Sequence, residues 1–358
     1  MKILITGACG YVGSEIAHRF REASASNRVF GIDNLSRRGS ESNWRRLEKL
    51  GVQLFHGDVR VSADLQSMLA ADWVIDCAAN PSILAGTASN SACGPEQLVQ
   101  HNLAGTLNIL EYCRRQSAGL VLLSTSRVYS IESLRSIPLR EMSTRFDLPK
   151  HIPRQLPGFS AHGVNEDFPT SAPISLYGAT KLASEIMSQE YAQTFGFPLW
   201  INRCSVIGGP GQFGKADQGI FSYWVYACLK NQPVKYTSFN GRGKQVRDCV
   251  LAQDVADLVY RQVQSPNRST QRVFNIGGGR SGAVSLLELT RFCERFMGKS
   301  MKVTKSSKNR PFDIPYFVTD TQHAREVWNW KPSATAEQII ENLCHWASQN
   351  ADWVRSLS

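Results

Sequence analysis

The first 33 residues combine apolar runs, a glycine-rich turn and a helical segment in an order that restricts the possible folds. Residues 2–6 predict a buried parallel strand, and Gly7-Ala-Cys-Gly10-Tyr-Val-Gly13 follows immediately. We expect a helix from about Tyr11 to Ala23 and a second strand over Arg28–Asp33. A strand, a glycine turn and a helix in this order form the context that a dinucleotide-binding fingerprint requires.

Each glycine of this turn has its own expected role. Gly7 permits the tight turn, Gly10 lets the backbone approach a pyrophosphate, and Gly13 brings the helix against the strand. The N–H groups of the first helical turn, including those of Tyr11 and Val12, would then face the phosphates together with the positive end of the helix dipole. The spacing is G-x-x-G-x-x-G rather than the G-x-G-x-x-G of many dehydrogenases, so a glycine turn without a ligand is the alternative.

The acidic residue at the end of the second strand favours a nicotinamide dinucleotide. Asp33 lies about 20 positions after the turn, where a carboxylate contacts the ribose hydroxyls. Asn34, Ser36 and Arg37 follow it and complete the expected contacts at this end of the cofactor. Arg37 and Arg38 could instead accept a 2′-phosphate. Because Asp33 would repel that phosphate, we expect NAD rather than NADP.

The following segments continue the alternation of strands and helices. Strands are expected at 52–59, 73–79, 120–125 and 199–203, with helices at about 97–116 and 176–195. This pattern predicts an α/β fold with a doubly wound parallel sheet, in which ligands bind at the carboxyl ends of the strands. The further expected cofactor contacts lie at such ends or on the helix between them: Asp58, Val59, Ala78, Ala79, Asn80, Asn102 and Ser124.

Tyr177 and Lys181 are one helical turn apart in Ser175-Leu-Tyr-Gly-Ala-Thr-Lys181. At this spacing the two side chains lie on one face of a helix. A tyrosine normally has a pKa of about 10, and a lysine ammonium beside a cationic nicotinamide ring would lower it. Such a pair can take the proton from a substrate hydroxyl while a hydride leaves the same carbon. A second copy of the pattern, Tyr226 and Lys230, lies in an aromatic-rich helix after the last strand, where we expect a packing role.

Two further regions indicate a second, anionic ligand. The segment between Tyr129 and Tyr177 is long and rich in proline, which favours a substrate-covering loop over a surface excursion. Beyond residue 205 the chain contains glycine and arginine clusters at 208–221, 241–248 and 310–313. Guanidinium groups match phosphate oxygens. Arginines that form only structural ion pairs are the alternative.

The composition excludes several classes of function. The net charge is +10, but the Lys and Arg residues are spread along the chain, and the densest patch lacks the interleaved aromatic side chains of a nucleic-acid surface. The nine cysteines include no C-x-x-C pair and are typical of reduced thiols. No set of His, Cys, Asp or Glu residues has metal-ligand spacing. Without a signal peptide or an apolar run of about 18 residues, we expect a cytoplasmic protein with no membrane partner.

Taken together, these motifs resemble the extended short-chain dehydrogenase/reductase family of nucleotide-sugar epimerases and dehydratases over nearly the whole chain. The matches occur in order: Gly7-x-x-Gly10-x-x-Gly13, Asp33-Asn-Leu-Ser, Asp58, Thr125-x-x-Val-Tyr129, Tyr177-x-x-x-Lys181, Gln245-x-Arg247-Asp248 and Asn275-Ile-Gly. The resemblance implies NAD as cofactor and Thr125, Tyr177 and Lys181 as the catalytic triad. Thr125 would hydrogen-bond the reacting hydroxyl, Tyr177 would be the base, and Lys181 would bind the nicotinamide ribose and lower the pKa of the tyrosine. Asn102 would support the site from its helix.

A narrower resemblance lies in the segments 202–224 and 243–248 and is to the CDP-paratose 2-epimerase branch of the family. It implies inversion at C2 of a CDP-linked deoxysugar through a transient 2-keto intermediate, as in CDP-paratose to CDP-tyvelose, and a place in lipopolysaccharide or polysaccharide biosynthesis. Arg247 and Arg310 would grip the diphosphate. The full set of implied substrate contacts is Pro81, Ser126, Arg127, Arg203, Gln212, Lys215, Gln218, Phe221, Gln245, Arg247 and Arg310.

Departures from the family pattern leave alternatives open. Dehydratases of this family follow the catalytic threonine with Asp-Glu, whereas Ser126-Arg127 stand here, which disfavours a 4,6-dehydratase. The common His-x-Ala-Ala motif reads Asp76-Cys-Ala-Ala79, without the histidine. A C4-epimerase or an oxidoreductase acting on a UDP- or dTDP-sugar is the main alternative. A non-catalytic NAD-binding regulator is another, but it predicts erosion of the triad, which is intact.

The expected domain organisation has two parts. Residues 1–205 and 245–275 would form the NAD-binding Rossmann domain, and residues 206–244 and 276–358 a smaller C-terminal α/β domain that binds the nucleotide sugar. The family resemblance also implies a homodimer or higher homo-oligomer through helices near 102–117 and 178–195.

Overall fold

The strands fall into one large sheet and several small ones in the computed structural model, which describes residues 1–85, 94–152, 156–215 and 218–357. In chain order they are β1 (Lys2–Thr6), β2 (Arg28–Asp33), β3 (Gln53–His56), β4 (Trp73–Asp76), β5 (Gly119–Thr125), β6 (Arg140–Glu141), β7 (Phe146–Asp147), β8 (Phe159–Ser160), β9 (Gly163–Val164), β10 (Leu199–Cys204), β11 (Val206–Gly208), β12 (Val234–Tyr236), β13 (Val246–Leu251), β14 (Val273–Ile276), β15 (Ala283–Ser285), β16 (Val303–Lys305) and β17 (Tyr316–Phe317).

The helices cover both faces of the large sheet and surround the small ones. They are α1 (Tyr11–Ala23), α2 (Ser40–Lys49), α3 (Ser62–Gln66), α4 (Pro95–Val99), α5 (Gly105–Gln116), α6 (Ile131–Ser136), α7 (Ser175–Phe195), α8 (Ile220–Leu229), α9 (Ala252–Gln264), α10 (Leu286–Met297), α11 (Gln322–Trp328), α12 (Ala336–Gln349) and α13 (Ala351–Ser356). A π-helical turn spans Gln100–Ala104, and 3₁₀ turns span Ser126–Val128 and Phe239–Gly241.

The large sheet is parallel throughout and has the strand order β3-β2-β1-β4-β5-β10-β14. Its order reverses at β1, so a crevice forms at the carboxyl ends of β1 and β4, where doubly wound sheets bind their ligands. The strands are apolar because helices bury both faces, and Leu4, Val74 and Val121 are fully buried. The predicted fold class is confirmed.

The C-terminal part builds a smaller unit with its own core. A four-stranded sheet joins β11, β13 and β15, and β17 pairs with β13. Helices α8, α10 and α12 pack around a second apolar cluster that includes Trp224, Leu289 and Ile340. Strand β13 lies in this smaller sheet, while β14 returns to the edge of the large one. The segment 245–275, which was expected to belong to the NAD-binding domain, therefore contributes strands to both sheets.

Two segments differ from the sequence expectation. The helix expected at 97–116 begins at Pro95 and is interrupted by the π-helical turn before α5. The proline-rich segment between Tyr129 and Tyr177 contains α6 and two short hairpins, and its apolar residues Ile131, Leu134 and Phe168 pack against Phe317. Its Pro153 lies outside the described residues. Among the helices of the described ranges, none is long and apolar enough to cross a membrane.

Candidate active site

The glycine turn after β1 forms a cradle that fits a dinucleotide diphosphate. Gly7 has φ +63°, and its N–H donates to the carbonyl of Ile32 at 2.9 Å. A β-carbon on Gly13 would lie 2.3 Å from the Gly7 oxygen, so only glycine lets α1 pack this closely. No side chain caps the first turn of α1. The N–H groups of Tyr11 and Val12 in that turn are thus free of a capping side chain and suited to bind an anion.

The carboxylate of Asp33 fastens this turn to the end of β2. Its Oδ2 accepts from the Cys9 N–H at 2.9 Å and its Oδ1 from the Leu35 N–H at 2.8 Å. Burial raises the pKa of Asp33, and these two backbone hydrogen bonds oppose the rise. The carboxylate therefore lies beside the cradle at a strand end, where it can meet a ribose.

The residues expected at the adenosine end of the cofactor form hydrogen bonds with one another. Asn34 Nδ2 donates to Asp58 Oδ2 at 2.9 Å, and a hydrogen bond from Arg60 holds the pKa of Asp58 well below its usual range. Ser36 is exposed, and Arg37 donates to the carbonyl of Phe213. Arg37 thus connects the cofactor side to the segment 208–221.

Asn102 links the loop after β4 to the helix that carries Tyr177. Its Oδ1 accepts from the Asn80 N–H at 2.8 Å, and its Nδ2 donates to the Asn80 carbonyl and to Thr180 Oγ1, both at 3.1 Å. Thr180 Oγ1 in turn donates to the Tyr177 carbonyl at 2.9 Å. The structure thus brings Asn102 next to the proposed base, together with the loop formed by Ala78, Ala79, Asn80 and Pro81.

The three proposed catalytic residues lie at the carboxyl end of β5 and on the first turns of α7. Thr125 ends β5, and its side chain hydrogen-bonds the Tyr177 hydroxyl. Tyr177 and Lys181 are both buried on α7, and Lys181 is only 2% exposed. Among the described residues the Lys181 ammonium has no hydrogen-bond partner, although the charge of Asp76 acts on it. An ammonium enclosed in this way is available to a ligand.

The pKa of Tyr177 does not follow the sequence expectation in the free chain. Burial raises it to about 12, and the hydrogen bond with Thr125 and the charge of Arg127 oppose this rise. The reason is that the expectation assumed a cationic nicotinamide ring beside the pair, whereas burial dominates without it.

Three arginines and one aspartate form a charged cluster near Tyr177, which we call the arginine cluster: Arg127, Arg247, Arg310 and Asp313. Arg247 donates to Asp313 Oδ1 at 3.0 Å and to two backbone carbonyls, so its charge is largely compensated. The side chains of Arg127 and Arg310 make no hydrogen bond or ion pair with the described residues. The backbone N–H of Arg127 donates to Thr125 Oγ1, and that of Arg310 donates to Ser238 Oγ. Burial and the charges of Arg247 and Arg310 lower the pKa of Arg127 to about 9. The cluster carries excess positive charge that suits a diphosphate.

Several residues that were expected to contact the substrate instead make contacts in the protein interior. Arg203 forms a buried ion pair with Glu185 at 2.8 Å. Gln212 is buried, its Nε2 donates to the Ile207 carbonyl, and its Oε1 accepts from Ser222. Phe221 is packed in the second apolar cluster. These side chains fill the interior, so we do not carry Arg203, Gln212 and Phe221 into the proposed substrate site.

The remaining expected contacts lie near the arginine cluster or on the segment 208–221. Ser126 precedes Arg127 in the 3₁₀ turn. Gln245 Nε2 donates to the Thr237 carbonyl at 3.1 Å, one residue before β13. The backbones of Lys215 and Gln218 pair with each other, and Lys215 is exposed.

Other groups of the site escaped the sequence analysis. Asp313 pairs with Arg247, and its place three residues after Arg310 was the available signal. Ser124 was expected at the cofactor, but its Oγ donates to Glu185, one helical turn beyond Lys181.

Within the described ranges, no group of three His, Cys, Asp or Glu side chains is placed to bind a metal ion, and the eight cysteines there are free thiols. Cys93 lies outside these ranges.

Comparison with known proteins adds independent information. The model of the NAD dependent epimerase/dehydratase family matches residues 3–277. A CDP-paratose 2-epimerase from Salmonella typhi is 30% identical over 354 residues, which cover 97% of this chain and 99% of that protein. A UDP-glucuronate 4-epimerase from Thermodesulfobacterium geofontis is 25% identical, with 99% and 98% covered.

Solved structures agree on the fold. The crystal structure of UDP-glucuronic acid 4-epimerase from Bacillus cereus, in complex with UDP-glucuronic acid and NAD, superimposes with a TM-score of 0.76 at 24% identity. It covers 98% of this chain and 100% of that one. The prediction of an NAD-dependent enzyme is confirmed by the family match, and the glycine cradle, the carboxylate of Asp33 and the enclosed Lys181 fit that cofactor. This chain belongs to the NAD dependent epimerase/dehydratase family.

Proposed function

We propose that the protein is an NAD-dependent nucleotide-sugar epimerase that inverts C2 of a CDP-linked deoxysugar, of the type CDP-paratose to CDP-tyvelose. The observation that carries this proposal is the 30% identity to a CDP-paratose 2-epimerase along nearly all of both chains. The arrangement of the proposed triad supports it, because the side chain of Thr125 interacts with Tyr177 and Lys181 follows one helical turn later.

The residues after Thr125 support epimerisation over dehydration. Elimination of water needs an acid and a base beside the sugar, and dehydratases of this family supply them as Asp-Glu. Here Ser126-Arg127 occupy these positions. The arginine cluster contains the carboxylate of Asp313, which forms an ion pair with Arg247. In the part of this cluster that the structure describes, no carboxylate is free for elimination, which supports epimerisation with Tyr177 as the base.

The chain's own residues would act as follows. Tyr177 takes the proton of the reacting hydroxyl, and Thr125 holds that hydroxyl through the oxygen that already contacts Tyr177. Lys181 binds the ribose hydroxyls of the cofactor. Arg310 and Arg127 hold the diphosphate while the keto sugar turns its other face. NAD, when bound, supplies the hydride acceptor and then the hydride donor.

The same fold also serves C4 chemistry, so the reacting carbon needs a direct test. We would follow CDP-paratose by proton NMR with the purified protein and no added NAD, with CDP-glucose, UDP-glucose, UDP-glucuronate and UDP-N-acetylglucosamine beside it. A new sugar spin system with an inverted coupling at C2 and no net NADH supports the proposal. Inversion at C4, or conversion only with stoichiometric NAD, contradicts it and favours the C4-epimerase or the oxidoreductase.

The two Tyr/Lys pairs of the chain provide a matched pair of variants. Tyr177→Phe removes the proposed base and should lower turnover by roughly 10²- to 10⁴-fold. Tyr226→Phe removes a hydroxyl that donates to the Gln212 carbonyl at 2.8 Å, outside the site, and should cost stability but not turnover. Full activity of Tyr177→Phe would instead favour a non-catalytic role for the NAD site.

A further inference from the structure

The loop that follows β11, residues 209–214, packs against the helix of the glycine cradle. Gly209 has φ +141°, and a β-carbon on it would lie 2.7 Å from the Tyr11 hydroxyl. Tyr11 is the first residue of α1 and follows Gly10 of the cradle directly. Glycine at position 209 therefore allows the loop to approach α1 this closely.

The other end of the loop packs against the turn that follows Asp33. Arg37, in this turn, donates a hydrogen bond to the Phe213 carbonyl. A β-carbon on Gly39 would lie 2.6 Å from Phe213 Cδ1. The Phe213 side chain is buried, and its ring centroid lies 5.9 Å from that of Trp353 on α13. Phe213 is thus enclosed by contacts with this turn and with the C-terminal helix.

The Gln212 side chain holds the loop in this shape. Its Nε2 donates to the Ile207 carbonyl on β11, and its Oε1 accepts from Ser222 Oγ on α8, both at 2.7 Å. Gln212 is buried, so both hydrogen bonds are made in the interior. This amide therefore fixes the loop to the smaller unit, while Gly209 and Phe213 contact the cofactor side.

The two contact points of the loop correspond to two parts of the cofactor site. The glycine cradle fits the diphosphate, and the loop contacts Tyr11 beside it. Asp33 can meet the adenosine ribose, and the loop contacts Arg37 and Gly39 shortly after it. The loop therefore joins the two elements that would hold the adenosine diphosphate half of NAD.

We propose that residues 209–214 are a clamp that slows the release of NAD, and that Gln212 is its positioning residue. The contacts of the loop with α1 and with the turn after β2 must open before these elements can move apart and free the cofactor. Slow release suits an epimerase, because the cofactor that oxidises the sugar must remain to reduce it again. The proposal requires only an NAD-dependent enzyme and does not depend on which sugar carbon reacts.

The test measures the rate at which bound NAD leaves the protein. The protein is loaded with radiolabelled NAD and chased with a large excess of unlabelled NAD, and the bound label is followed by filtration. Gln212→Ala and Phe213→Ala should each release the label at least about tenfold faster than the wild type, with association rates within about twofold. Circular dichroism checks that each variant is folded. Phe213→Leu, a smaller change that should also release NAD faster, replaces any variant that does not fold.

Gln262 provides a matched control away from the loop. It is also buried, its Nε2 donates to Asn202 Oδ1 at 2.9 Å, and its Oε1 accepts from Asn202 Nδ2 at 2.8 Å. Gln262→Ala removes the same number of side-chain hydrogen bonds between α9 and β10, so it should lower the stability in urea about as much as Gln212→Ala. It should leave the release of NAD unchanged. Equal acceleration in both variants would indicate general loosening of the fold and would overturn the proposal.

Two further results would also overturn the clamp. One is an unchanged release rate in both Gln212→Ala and Phe213→Ala. The other is slower association with unchanged release, since the loop would then shape the cradle for binding rather than hold bound NAD. The measurement uses no sugar, so its result stands even if CDP-paratose is not the substrate.

Discussion

Asn102 donates a hydrogen bond from Nδ2 to Thr180 Oγ1 at 3.1 Å, which joins the π-helical turn to the helix of the proposed base. The same carboxamide makes two hydrogen bonds with the backbone of Asn80. The side chain is buried, so these hydrogen bonds are made in the interior of the protein. The loop at the nicotinamide end and α7 are therefore positioned by one side chain.

Asn102→Ala should affect both stability and turnover. Three hydrogen bonds are lost and buried partners remain unpaired, so we expect unfolding in urea to be easier by about 2 kcal/mol. Misplacement of Tyr177 should lower kcat by roughly tenfold to 100-fold. Asn27 is a matched control, since its buried side chain donates to the Phe20 carbonyl at 2.9 Å, outside the proposed site. Loss of kcat in Asn27→Ala as well would show that the effect is global.

Gly13→Ala should weaken NAD binding. The added β-carbon would lie 2.3 Å from the Gly7 oxygen, which is a backbone atom and cannot yield without opening the turn. We expect the dissociation constant for NAD to rise by at least about tenfold in calorimetry, because the diphosphate cradle changes shape. Gly94→Ala serves as control, since no atom of the residues that the structure describes lies within 4 Å of its added β-carbon. Unchanged NAD affinity in Gly13→Ala would contradict the cradle.

The sequence predicted the cofactor half of the molecule well, because its signals are local. The bounds of α1 and β2 match the prediction, since strand, glycine turn and helix follow each other without insertion. The break in the helix expected at 97–116 was missed. Asn102 lies in this turn and hydrogen-bonds Asn80, a contact between residues far apart in the chain that local patterns do not encode.

The sequence was less informative about the substrate half. Arg203 and Arg247 are equally basic in the sequence, and only the fold shows that Arg203 points to Glu185 in the interior while Arg247 joins the cluster around Asp313. The pKa of Tyr177 is another example. Spacing identifies its lysine neighbour, but the burial that raises the pKa of Tyr177 depends on tertiary packing.

The Glu185–Arg203 ion pair should be structural. Glu185→Gln leaves the Arg203 charge without its partner in the interior and should destabilise the protein by about 3 kcal/mol. Replacing both, as Glu185→Leu with Arg203→Met, should recover much of this loss in denaturant unfolding. KM for the substrate should stay within about twofold in the double variant. A large rise in KM with stability intact would return Arg203 to the substrate site.

The homo-oligomer implied by the family resemblance should form through α7. This helix leaves large apolar side chains in solvent, with Ile186 52% and Phe195 49% exposed. Exposed apolar groups on the helix expected at the interface favour burial against a second copy of the chain. We expect a dimer in light scattering after gel filtration, and Ile186→Glu should shift it towards monomer. Val61→Glu, at an apolar residue that is 46% exposed on another element, should leave the dimer intact. A monomeric wild type, or an equal effect of both variants, would contradict an interface on α7.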